Sequence, residues 1–152
     1  MPNYRVLRPC EVNERESLIA QVVAEVANSI LHIRLPSRSF IEETWGAGDI
    51  RLVEPIRGLY QFNRIFLLKD LPDDILVRTC AHELRHHWQF QTRRFHLAPQ
   101  CECDAELFSR EFEIFLQQPP ASRIVERLLT VYGMKCRRPI SPYIKDVLER
   151  RL

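Results

Sequence analysis

The apolar side chains of this chain change their repeat twice, and that alternation limits what it can fold into. Leu18, Val22, Val26 and Ile30 recur every four residues, which sets them on one face of a helix. Between Ile33 and Leu68 the repeat gives way to short β-prone pieces, "HIRLP", "DIRLVEPI" and "LYQFNRIFLL". Pro36, the Gly46 and Gly48 turn region, Pro55 and Gly58 separate them. After "LPDD" the helical repeat returns. Helix, small sheet, then helices is an α+β order.

The first helix is expected over about residues 14 to 31, because Asn13 followed by Glu16 has the form of a helix-opening box. The β-prone pieces predict about three strands. A long helix should run from "LPDD" to about Arg94, and another from about Pro99 to Gln118, with Ala105, Phe108, Phe112 and Phe115 facing the core. Pro119 and Pro120 stop it. Two shorter helices are expected from Ser122 to Gly133 and after Ser141-Pro142, where serine can cap and proline can take the first helical position. With 152 residues and no repeat or linker, residues 1–152 are expected to form a single domain able to bury its own core.

The long helix carries "TCAHELRHHWQFQ", residues 79 to 91. Positions four apart on a helix are neighbours, so His82 and His86 can aim ring nitrogens at one point about 2 Å from each. Glu83, one residue on and about a hundred degrees round, stands beside that point and could hold a water there as a general base. Ile75, Leu76, Cys80, Leu84 and Trp88 would bury the helix around the pair. Two imidazoles and a carboxylate suit zinc, which acidifies a water for attack on a carbonyl. H-E-x-x-H is short enough to arise by chance, so the motif needs a third ligand.

Spacing sorts the candidates. A metzincin-type extension requires glycine at 89 and histidine at 92, where this chain has Gln89 and Thr92. His96, ten residues past His86, is one possibility, as in SprT-like arrangements. In "CECDAELFSREF", Glu102 and Glu106 are four apart and share a helix face, which makes them the better candidates. Cys101 and Cys103 flank Glu102 but point about a hundred degrees away from it.

H-E-x-x-H with a second helix bearing E-x-x-x-D/E resembles the gluzincin branch of the zincin metallopeptidases. "ECDAELF" is similar to the E-x-x-A-x-x-F pattern of compact intracellular ImmA/IrrE-type proteases. The resemblance covers residues 75 to 116. It implies a minimal zincin-like domain with zinc on His82, His86 and Glu102, and Glu106 hydrogen-bonded to the distal nitrogen of a ligand histidine. It further implies a protein or peptide substrate paired with the strand before the active-site helix, here "NRIFLL". Glu106 stands where those proteins have aspartate, and Arg85 where they often have glycine. His87 falls off the metal face, as a surface or supporting group, and Trp88 and Phe90 are expected in the core. Tyr132, Tyr143 and His96 are candidates to stabilise an oxyanion.

Composition narrows the setting. With 22 basic and 20 acidic residues the net charge is +2, and no nucleic-acid partner is expected. No apolar run suggests a signal peptide or a membrane span. Five irregularly spaced cysteines fit a reducing compartment, so a cytoplasmic location is expected. The expected activity is zinc-dependent peptide hydrolysis. The alternative is a zinc-containing regulatory or protein-binding module of the same fold without proteolytic activity.

Overall fold

The computed structural model describes residues 5–45, 56–94 and 96–116. In chain order these form β1 (Arg5–Pro9), α1 (Glu14–Leu31), β2 (Ser37–Trp45), β3 (Gly58–Gln61), β4 (Arg64–Leu68), α2 (Asp73–Thr92) and α3 (Ala98–Leu116). The described part is α+β, with three helices and a four-stranded mixed sheet of order β1-β2-β4-β3. β2 and β4 run parallel, and β1 and β3 lie antiparallel on the outer sides.

α1 occupies the span its pattern predicts. Asn13 Oδ1 accepts the Glu16 backbone N–H at 2.7 Å, and Asn13 Nδ2 donates to Glu16 Oε1 at 2.6 Å. The other carboxylate oxygen of Glu16 accepts the Asp70 N–H at 3.1 Å, so the cap also ties α1 to the approach of α2. The buried face is broader than the four-residue stripe. Ile19, Val23 and Ala27 are as enclosed as Val22 and Val26, whereas Ile30 is partly buried. α1 packs against α2 and, through Phe40, Ile65 and Leu67, belongs to the same core as the sheet.

The strands differ from expectation in three places. "HIRLP" is irregular, because His32 ends α1 in the left-handed region (φ 52°, ψ 50°), and strand pairing starts only at Ser37. β1 and β2 carry little β-prone pattern, being rich in Arg, Ser and Glu, and they are strands because they pair with each other and β2 also with β4. "LYQFNRIFLL" is not one strand but a hairpin. Gln61 pairs with Arg64 across Phe62 and Asn63, both at positive φ (41° and 67°), a two-residue loop whose twist suits a hairpin. Residues 49–55 of "DIRLVEPI" lie outside the described residues, as do the two expected helices near the C-terminus.

α2 begins after Pro72 and ends at Arg93, again left-handed (φ 51°). Its buried side chains include Leu76, Val77, Cys80, Ala81 and Leu84. α3 returns antiparallel beside it, with Ala105 and Phe112 buried and Phe108 partly so. Gln117, Gln118 and the side chain of Phe115 lie outside the described residues. No described helix is long and apolar enough to cross a membrane.

Candidate metal centre

Apart from the histidine contacts described below, polar contacts at three levels tie α2 to α3 among the described residues. Near one end, Arg78 Nε is 2.6 Å from Glu113 Oε1. In the middle, Arg85 donates twice to Asp104, from Nε to Oδ2 at 2.8 Å and from Nη2 to Oδ1 at 3.1 Å. The guanidinium beside Asp104 is the main reason its carboxyl is held below the usual carboxylate range. The same guanidinium stacks 3.7 Å from the centre of the Trp88 ring. Nearer the connecting loop, Gln89 Nε2 donates to the Cys101 carbonyl at 2.9 Å and to Asp104 Oδ2 at 2.8 Å. These links set the register in which Glu102 faces the two histidines.

The spacing on α2 does what the helix repeat dictates. His82 Nε2 and His86 Nε2 are 3.1 Å apart. Glu102 straddles them, with Oε2 3.2 Å from the first nitrogen and Oε1 3.0 Å from the second. Taking one donor atom from each residue, the donors lie within 4.8 Å of one another. Ligands about 2.0 Å from a tetrahedral zinc stand about 3.3 Å apart, so these N···N and N···O separations fit a shared cation. His82, His86 and Glu102 therefore form a cluster with the donors and spacing to hold a metal ion.

Glu106 Oε2 lies 3.4 Å from His82 Nδ1, on the far side of the ring from Glu102. A corresponding group behind His86 escaped the sequence reading: Gln89 Oε1 is 2.9 Å from His86 Nδ1. Its only sequence signal is its position three residues past His86, one helical turn along the same face. Among the described residues the cluster contains neither His96 nor either flanking cysteine. His96 lines the neighbouring cavity instead.

Glu83 points away from the exposed face and under the sheet edge. It is 6% exposed, and burial, with the charge of Glu102 adding to it, pushes its carboxyl up to about 8. The space it occupies exists because residue 58 is glycine. A Cβ there would lie 3.0 Å from Glu83 Oε1 and 2.6 Å from Thr79 Cγ2. In the sequence Gly58 reads only as a break between strands, and its role depends on β3 being laid across α2.

Three expectations are corrected here. β4, the strand before α2, is not at the sheet edge, because the hairpin tucks it between β2 and β3. The edge strand beside the site is β3. His87 is neither a surface group nor a partner of the cluster, being 1% exposed. Its Nε2–H donates to the Arg34 carbonyl at 2.6 Å, so its Nδ1 accepts the Tyr60 hydroxyl at 2.8 Å. It pins β3 and the loop after α1 to α2, and burial lowers its pKa. Phe90 is not in the core but 59% exposed, whereas Trp88 does pack against the core.

The cluster and Glu83 open on a cavity of about 1250 Å³, walled by β3 through Gly58, Leu59 and Tyr60 and by Ile75, Thr79 and Phe90 from α2. A cluster able to hold a cation, a buried carboxylate and a strand edge thus share one hollow. Tyr132 and Tyr143 lie outside the described residues. No family model matches the chain, and no curated protein or solved structure matches it, so the gluzincin resemblance rests on the motif residues themselves.

Proposed function

We propose that this chain is a zinc-dependent hydrolase of gluzincin type that cleaves peptide bonds. The observation that carries the reading is the convergence of His82, His86 and Glu102 from two helices beside the buried Glu83, at the floor of a cavity bounded by a strand edge. Two imidazoles and one carboxylate are a donor set that suits zinc and leaves a coordination position open. When bound, zinc would polarise a carbonyl and lower the pKa of a water molecule. His82, His86 and Glu102 would hold it. Glu83 would accept the proton of the attacking water and pass it to the leaving amine, and its burial excludes competing solvent. Glu106, beside His82 Nδ1, would orient that ring.

An extended peptide would add to the sheet along β3, whose outer edge is unpaired among the described strands. Main-chain pairing of that kind gives affinity with little sequence preference. The free cysteines Cys10, Cys80, Cys101 and Cys103 support a reducing, cytoplasmic setting.

The test is elemental analysis of protein purified without chelator or metal-affinity resin, followed by an assay on fluorescein-labelled casein. The expected result is about one zinc per chain, none in His82→Ala, and hydrolysis lost in Glu83→Gln with zinc retained. Zinc without hydrolysis in the parent would favour the binding-module alternative. No zinc in the parent, even on adding it back, would end both readings.

A further inference from the structure

We propose that Gln89 is a positioning residue that selects which nitrogen of His86 faces the metal, and that Asp104 and the Cys101 carbonyl in turn select the orientation of Gln89. The proposal rests on the metal-centre reading of His82, His86 and Glu102.

An amide side chain has one end that donates and one that accepts, and its partners decide which way it points. The Cys101 carbonyl and the ionised Asp104 can only accept. They lie 2.9 and 2.8 Å from one end of Gln89, so that end is the NH2. Asp104 is itself held ionised and in place by the two-point contact with Arg85. The end facing His86 is then the carbonyl oxygen, 2.9 Å from Nδ1, and it must receive a proton from the ring. A neutral imidazole carries one N–H, so with Nδ1 donating, Nε2 presents a lone pair. That lone pair faces His82 Nε2 and Glu102 Oε1.

The same polarity holds behind His82, where Nδ1 faces the Glu106 carboxylate. Two ring lone pairs and a carboxylate therefore converge on one point, an arrangement that repels itself until a cation occupies it. Gln89 is 4% exposed, so water has little access to replace its amide if it is removed. It also joins a ligand on α2 to the peptide unit just ahead of Glu102 on α3. The orientation of one ligand and the placement of another thus depend on one side chain.

The tautomer can be read without metal or activity. In long-range 1H–15N spectra of the full chain, stripped of metal and held where both rings are neutral, His86 should show the Nδ1–H pattern. Gln89→Leu should move it to Nε2–H or to a mixture. Zinc affinity, measured by competition with a chromophoric chelator, should fall about ten- to a hundredfold in Gln89→Leu. Gln89→Glu, which can still accept from Nδ1–H, should keep the parent tautomer. An Nε2–H tautomer in the parent overturns the proposal with no variant required. Gln89→Leu with parental tautomer and zinc affinity also overturns it, whatever happens to Tm. A parent that takes up no zinc sinks the metal-centre reading, and the metal-facing role of Gln89 with it. That failure is distinct from a wrong tautomer, which is observed in metal-free protein.

Discussion

Replacing Glu83 with glutamine should make the metal-free protein more stable, and more so as pH rises. The carboxyl is buried under Gly58 and retains its proton to about pH 8, whereas in the unfolded chain it releases it near its ordinary 4.5. Between those values the folded state binds more protons than the unfolded state, so stability falls with rising pH. The protonated carboxyl causes no loss below about pH 4.5, and the loss is complete above about pH 8. At about 1.4 kcal/mol per pH unit the ceiling is about 5 kcal/mol, of which about 4 falls between pH 5 and pH 9. Glutamine has nearly the same shape and does not titrate. Urea unfolding followed by tryptophan fluorescence, in chelator, should therefore show the difference between Glu83→Gln and the parent growing by several kcal/mol over that range. Other titrating groups cancel in the difference. Added zinc should shrink it, because a dication beside Glu83 favours the carboxylate and offsets the charge of Glu102. Parallel pH profiles would refute the reasoning and mean that Glu83 is solvated in the fold.

Gly58→Ala should cost about 1–3 kcal/mol by overpacking, mostly against Thr79, and Thr79→Ala in the same chain should restore much of that stability in thermal melts. Hydrolysis should stay at least about tenfold down in the double variant, because the new methyl still displaces the Glu83 carboxylate. Full recovery of both would mean that Gly58 serves packing alone. Asp104→Asn should weaken the α2–α3 contact by about 2 kcal/mol near neutral pH, the range of a hydrogen bond to a charged group. Because the Asp104 pKa is depressed, that contribution is present above the unfolded carboxylate range and is lost as pH falls through the folded value. The gap between variant and parent in urea melts should close on acidification, and a constant gap would refute the ionic account. Tyr60→Phe removes the donor to buried His87 and should cost about 1–2 kcal/mol, with faster amide exchange in β3. Unchanged exchange there would show that the edge strand does not depend on that bond. Glu102→Ala should lose far more zinc affinity than Glu106→Ala in chelator competition, and a reversed order would make Glu106 the ligand.

Much of the helical framework was legible because helix signals are local. Asn13 and Glu16 opened α1 where the pattern placed it, and the 3.6-residue repeat identified α2 and α3. The strands were less legible because strand partners are remote. β1 and β2 become strands by pairing Arg5–Pro9 with Ile41–Trp45, which no local pattern in either segment announces. A positive-φ pair at Phe62 and Asn63 divided one expected strand into two and exchanged the edge from β4 to β3.

The candidate site divides in the same way. His82 and His86 follow from one helical turn, and residue type and spacing narrowed the third candidate to Glu102 and Glu106, between which the gluzincin resemblance pointed to Glu102. The sequence by itself thus determined which side chains could meet on each helix. Only tertiary structure decided that Glu102 meets the histidines from α3 and that Gln89 stands behind His86. It also decided that Gly58 makes room for Glu83 and that His87, expected as a surface or supporting group, is buried and braces β3. The physical reason is range: helix periodicity acts over a few residues, whereas the Arg85–Asp104 clamp and the crossing of β3 over α2 join segments about twenty residues or more apart, in a register that packing sets.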